Sequence, residues 1–193
     1  GLAAAEVLPS LLADDLERTF ANCWTGCCNR MNRYSEWTDY TPYEVRAIGT
    51  LIRLGHRDWA HQSLHFFMPH RRPQGWRHWA ECVHNDRLKP GFIGDMPHTW
   101  VGSDFVRSIR TMMAYEREDG VLVIGGGFRW EWMYEPGEMK LVDLPTEFGK
   151  LTFTARRSGY RLFIRIEGEV KTRMVLALPT FSKGMTVNGR PGV

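Results

Sequence analysis

The apolar pattern of this chain changes its period once, and that single change dictates a mixed architecture. Up to about residue 115, apolar residues recur at three- and four-residue steps. They are Leu12, Leu16, Phe20, Cys23 and Trp24, then Val45, Ile48, Leu51 and Ile52, then Ala60, Leu64 and Phe67, and last Val101, Phe105, Ile109 and Met112. One face of an α-helix has that spacing. Beyond Glu116 the repeat becomes two. Segments 121–124, 150–155, 160–166 and 173–178 read as strands, and 151–155 and 162–166 alternate in the manner of strands with one covered face. The expected fold class is therefore α+β: a helical segment over residues 1–116, then an antiparallel β-sandwich over 117–193. The boundary is marked by the Glu-Arg-Glu-Asp-Gly run that begins at Glu116.

Local signals sharpen the outline. Ser10 is placed to cap the first helix, which gives way to a polar and aromatic connection over 29–40. Thr41-Pro42-Tyr43-Glu44 predicts a helix start, with Thr41 as cap, Pro42 in the first turn and Glu44 closing a capping box. Gly55 stops that helix, and the Gly55-His56 link to a third helix over 57–68 predicts an antiparallel helical hairpin. Pro69, Pro73, Pro90 and Pro97 break the segment 69–98 into a long loop, the kind of segment that tends to carry function. A fourth helix is expected over 100–115. Ser158-Gly159 and Asn188-Gly189 predict tight hairpins. Gly125-Gly126-Gly127 lacks the Lys-Ser/Thr of a phosphate loop and reads as a turn between strands.

Composition narrows the partners. With 25 basic and 22 acidic residues and a net charge of +3, no broad cationic field faces nucleic acid or an anionic membrane. No run of apolar residues is long enough to span a bilayer. Cys23, Cys27, Cys28 and Cys82 match no zinc spacing, so reduced, half-buried thiols are expected, with no metal and no cofactor. Aromatic residues reach 12%, with eight Trp, and each Trp needs a core or a ligand to cover its ring. Sugar-binding clefts use aromatic faces in this way.

The order of parts also carries a likeness. Gly94-Asp95-Met96-Pro97-His98-Thr99-Trp100 leads into a helix beginning at Val101. A strand-rich stretch follows with Asp143-Leu-Pro-Thr-Glu-Phe-Gly-Lys, then a hairpin and a terminal Val187-Asn-Gly. This resembles the C-terminal portion of glycoside hydrolases that join a six-hairpin α/α barrel to a trailing β-sandwich, most like the α-L-rhamnosidase type. In that type a Trp-Glu motif precedes a loop and an Asn-His pair opens the last barrel helix. Here the corresponding positions read Trp79-Ala80-Glu81 and Pro97-His98, so rhamnose specificity does not carry over.

The resemblance implies hydrolysis of a glycosidic bond by two carboxyl groups. These lie about 6.5–9.5 Å apart when the second acts through water, and nearer about 5 Å when it attacks directly. Glu81 is the candidate base and Asp95 the alternative. Trp76, His78, Trp79, His98 and Trp100 are the candidate substrate contacts, with Tyr43 and Arg77 as further candidates for hydroxyl groups. The general acid comes from an earlier part of the barrel in the resembled enzymes. The expected function is thus the C-terminal part of a carbohydrate-active enzyme, incomplete alone. The alternative is a non-catalytic carbohydrate-binding or protein-interaction module of the same fold. Carbohydrate is the expected ligand. An open ring of hairpins would also leave the Leu12/Leu16/Phe20 and Ile48/Leu51/Ile52 stripes bare. Covering about 600 Å2 of them would be worth on the order of 15 kcal/mol, which favours docking onto the missing barrel portion or a second copy.

Overall fold

The structure, a computed structural model, describes residues 13–73, 75–86, 88–89, 91–133, 138–179, 186–187 and 190–191. Its elements follow the change of period. Helix α1 spans Ala13–Met31, with Asp14 and Asp15 in its first turn and Arg30 in its last, the charge order that a helix dipole favours. It runs to Met31, into the start of the expected connection, because Cys27 and Met31 continue the stripe of Phe20 and Trp24, and all four pack on one core. Ser10 and Leu12 lie outside the described residues.

A short strand β1 (Asp39–Tyr40) pairs antiparallel with β2 (Val83–His84). Between them come a 3-10 turn over Pro42–Arg46, helix α2 (Ala47–Arg53) and helix α3 (Arg57–Phe67). The expected capping box does not form. Thr41 makes no side-chain cap, and Glu44 is drawn instead into an ion pair with Arg30 of α1. A half-buried salt bridge between elements takes Glu44 from the local cap here, and the first turn winds as 3-10. Gly55, at φ +87°, supplies the left-handed residue that ends α2, and α2 and α3 make the expected hairpin.

Helix α4 (Thr99–Met113) packs on α2 and on the Pro42–Arg46 turn, while α1 lies on α2 and α3. Helix α2 therefore sits in the middle. Its Ile48, Leu51 and Ile52 are buried, so this stripe is not bare as the open-ring expectation required. The neighbouring helices cover it within the chain, and the argument for association that rested on it falls. Among the described residues the four helices form no closed barrel.

Helix α4 passes directly into β3 (Ala114–Glu116), which pairs antiparallel with β4 (Leu122–Ile124). The antiparallel sheet β5-β6-β7 follows, formed by Met139–Thr146, Gly149–Ser158 and Arg161–Gly168, and β8 (Met174–Leu176) then returns to β4. That return pairing is parallel, with Leu122 opposite Met174, where only antiparallel pairs were expected. A whole sheet lies between β4 and β8 in the chain, giving the crossover a parallel pair needs. Strand β5 was not among the expected strands. Asp143 sits at φ +51° in a bulge between Leu141 and Leu144, and Pro145 is tolerated because β5 is an edge strand. A last ladder joins β9 (Thr186–Val187) to β10 (Arg190–Pro191); the Asn188-Gly189 turn lies outside the described residues. Leu122 and Ile124 share one core with Leu151, Phe153 and Ala155, so the two three-stranded sheets are packed together.

The glycine tract joins the two halves. Arg57 of α3 donates from Nε to the Gly126 carbonyl at 2.8 Å and from Nη2 to the Ala177 carbonyl at 2.5 Å. His61 Nε2 donates to the Gly127 carbonyl at 2.7 Å. The amides of Gly125 and Gly127 in turn donate to the carbonyls of Met113 and Met112, each at 2.8 Å. Only glycine fits at 127, where a Cβ would lie 2.5 Å from Met112 Cβ and 2.6 Å from its Cα. At the same end of α4, Arg110 forks onto the Glu116 carboxylate at 2.9 and 2.5 Å. Burial alone would raise the Glu116 pKa, but the bonds and charge of Arg110 outweigh it and hold the carboxyl below its ordinary value.

Two outcomes are expected. Gly127→Ala forces α4 and the tract apart and should cost about 2–3 kcal/mol of unfolding free energy in urea. His61 is only 8% exposed, and burial, reinforced by the Arg129 and Arg57 charges, pulls its pKa below the ordinary 6.5 despite the bond to Gly127. The unfolded chain then binds the proton more readily, so this contribution is intact above pH 6.5 and is lost as pH falls below it. His61→Gln keeps an N–H donor without a titrating ring, and its stability should fall less than the parent's across that acidic window.

Candidate functional site

The proline-broken loop is more ordered than its composition suggests. Segments 79–82 and 93–98 run side by side: Glu81 N donates to Asp95 O at 3.1 Å, Cys82 N to Ile93 O at 3.0 Å and His98 N to Trp79 O at 2.6 Å. Gly94, at φ +60°, lets the chain turn under the Glu81 side chain. A Cβ there would lie 2.2 Å from Glu81 Oε2 and 2.8 Å from Glu81 Cβ. The same Oε2 accepts from the Asp95 amide at 3.2 Å, which fixes the carboxylate over the turn.

This turn feeds the start of α4 and leaves an open concavity of about 770 Å3 lined by Asp95, Met96, Pro97, His98, Thr99, Trp100 and Ser103. Trp100 is 64% exposed there. Tyr43, carried by the Pro42–Arg46 turn, reaches across to this wall. Its hydroxyl bonds His98 Nε2, and its ring meets His98 and Trp100 edge-on with centroids 5.3 and 6.1 Å away. Arg46 lies over the Tyr43 ring, 5.1 Å from its centroid, and is anchored to Asp104 of α4 at 2.9 and 2.6 Å. The Tyr43 pKa is raised, first by burial and next by the Glu81 charge, with Asp95 adding to it and Arg46 opposing it. Both carboxylates therefore act on the hydroxyl that holds His98.

The sequence candidates separate into two groups. Asp95, His98 and Trp100 line the concavity, and Glu81 adjoins it through the Asp95 amide. Trp79 does not. It is only 6% exposed and packs on Phe105 with ring centroids 5.3 Å apart, so helix α4 already covers the face that a sugar would need. Trp76 and His78 face each other at 6.0 Å on the preceding loop and do not line this concavity, because the 71–78 loop is closed separately by the Arg72 N to His78 O bond. Arg46, Asp104 and Ser103 were missed. The signal was available for one of them, since Ser103 lies four residues after Thr99 on the same helical face.

The site's chemistry is that of hydrogen bonding beside an aromatic face. The Cys82 thiol next to Glu81 is pushed up by burial and by the Glu81 charge, and burial pushes Cys27 up to about 12, so neither is a ready thiolate. Among the described residues no three His, Cys, Asp or Glu side chains gather as a metal ion would require, and no helix is long and apolar enough to cross a membrane. No family model, curated protein or solved structure matches the chain.

Gly94→Ala tests how the Glu81 carboxylate is held. The positive φ and the displaced carboxylate together should cost about 1–3 kcal/mol. In a Glu81→Gly background the same substitution should cost clearly less, and a denaturant double-mutant cycle measures the difference.

Proposed function

We propose that this chain is the C-terminal part of a carbohydrate-active protein of the glycoside hydrolase type, in which helices of an α/α barrel are followed by a β-sandwich. The observation that carries the proposal is the concavity at the start of α4, where the exposed Trp100 face stands beside Asp95 and His98. An aromatic face covers the apolar face of a sugar ring, while carboxylate and imidazole groups bond its hydroxyls. The order of helices before strands, and the common core of the two three-stranded sheets, support the barrel and sandwich assignment.

In this proposal Glu81 is the general base. Oε2 is held by the Asp95 amide, which leaves Oε1 to take a proton from an attacking water. Asp95 is the second carboxylate at the site. The general acid is assigned to the barrel portion that the resemblance places ahead of these hairpins, so hydrolysis needs that portion. The non-catalytic alternative is favoured by one feature: Glu81 is already engaged as an acceptor for the turn it spans, a structural use that persists without catalysis.

Calorimetric titration with uncharged oligosaccharides separates the outcomes. Binding is expected, and Trp100→Ala should weaken it about tenfold or more, the order of one lost aromatic contact, while the thermal midpoint stays within about 2 °C because the side chain is exposed. Absence of binding across the panel, or binding unaffected by Trp100→Ala, would contradict the proposal. Release of reducing sugar by the chain alone would contradict the assignment of the acid to a separate portion.

A further inference from the structure

The geometry points to Tyr43 as a positioning residue that holds His98 in one tautomer, with Nε2 as acceptor and Nδ1–H as the donor offered to an oxygen of the ligand. This deepens the carbohydrate reading and rests on it for the nature of that oxygen. Among the described residues the Tyr43 hydroxyl has one hydrogen-bond partner, His98 Nε2. Each group brings a different strength. A phenol is a better donor than acceptor, and an unprotonated imidazole nitrogen is a better acceptor than a phenol oxygen. The bond is best made with the Tyr43 O–H donating. The proton of a neutral imidazole then resides on the other nitrogen, because the bond made by one ring nitrogen sets the state of its partner.

The surroundings hold this arrangement. Burial and the Glu81 and Asp95 charges keep the Tyr43 hydroxyl protonated, so the donor is present. The ring cannot swing away, since Arg46 stacks on it and is tied to Asp104, and Trp100 meets its edge. The His98 backbone is pinned at both ends, donating to Trp79 O and accepting from Gly102 N at 3.1 Å. With the backbone pinned and Nε2 taken, Nδ1 is the one ring nitrogen of His98 without a partner among the described residues, on a residue that lines the concavity. The carboxylate of Asp95 accepts hydrogen bonds and the His98 N–H donates one. A sugar hydroxyl, which donates and accepts at once, is matched by such a pair.

Nitrogen-15 NMR of the His98 imidazole decides the matter without any ligand. The resonance is assigned from a His98→Gln spectrum and recorded at about pH 8, where an ordinary histidine is neutral. The native protein should show a protonated Nδ1 and an unprotonated Nε2, and Tyr43→Phe should move the population toward Nε2–H. Tyr43→Phe should also weaken oligosaccharide binding about five- to tenfold, the scale of one hydrogen bond, with the far-ultraviolet circular dichroism unchanged. A native ring protonated at Nε2 overturns the inference by itself, even if Tyr43→Phe fails to fold. So does an unchanged tautomer in a folded Tyr43→Phe, or the expected tautomer shift with no change in oligosaccharide affinity. If no sugar binds to the native protein, the carbohydrate reading and the ligand role of Nδ1 fall together, while the tautomer measurement still decides what Tyr43 does to His98.

Discussion

Everything else in this molecule depends on a bond set made by two side chains of α3. Arg57 and His61 donate to the carbonyls of Gly126, Ala177 and Gly127, groups that the turn after β4 and the end of β8 leave without strand partners. A buried carbonyl left unpaired costs about 1–3 kcal/mol, so these donors do more than decorate an interface. They supply what the glycine tract lacks and thereby fix where the sheets sit on the helices. Glycine is needed because the backbone, not a side chain, must reach Met112. His61 serves in its neutral form. Burial keeps it so, and the bond to Gly127 is made with its single N–H.

From that junction the constraint runs along α4 to the concavity. The C-terminal end of α4 is held by the tract and by the Arg110 fork on Glu116, which also accepts from the Glu147 amide in the turn between β5 and β6. Its N-terminal half is held by Tyr43, by the Arg46–Asp104 pair, and by the strand-like bonds between 79–82 and 93–98. The concavity therefore stands on a helix fixed at both ends. Asp95 is presented by backbone whose hydrogen bonds to Glu81 are already met, and the His98 backbone beside Trp100 is tied to Trp79 and Gly102, which is the condition for a preformed site. Trp79 shows the other side of the same arrangement. Its burial against Phe105 takes the ring out of the candidate site but supports the start of α4.

Much of this was legible in the sequence, for reasons that individual residues make plain. The change from a period of three and four to a period of two placed α2, α3, α4, β6 and β7, because those elements carry a periodic covered face, while β4 stood out as a short continuous apolar run and is buried throughout. Gly55 ended α2 as a left-handed residue should. Strand β5 was hidden because a bulge at Asp143 and an edge position for Pro145 satisfy constraints that no local pattern expresses. Thr41 and Glu44 spelled a capping box, yet Arg30, from a distant helix, claimed Glu44. Of the candidate site residues, Asp95, His98 and Trp100 were legible as a cluster because they are neighbours in the chain at a helix start. Arg46 and Asp104 were not, since their pairing depends on how α4 crosses the 42–46 turn. Trp76 and His78 looked equivalent to Trp100 by composition. Only the path of the loop separates them.

The most direct test of the account is a nitrogen–proton NMR titration of the chain with uncharged oligosaccharides, following backbone amides through Asp95, His98, Thr99, Trp100 and Ser103 together with Tyr43. Saturable shifts confined to these residues and their immediate neighbours are expected, with the amides of Trp76 and His78 unmoved. Shifts centred on the 71–78 loop or on the sheets, or no saturable shift at all, would contradict it.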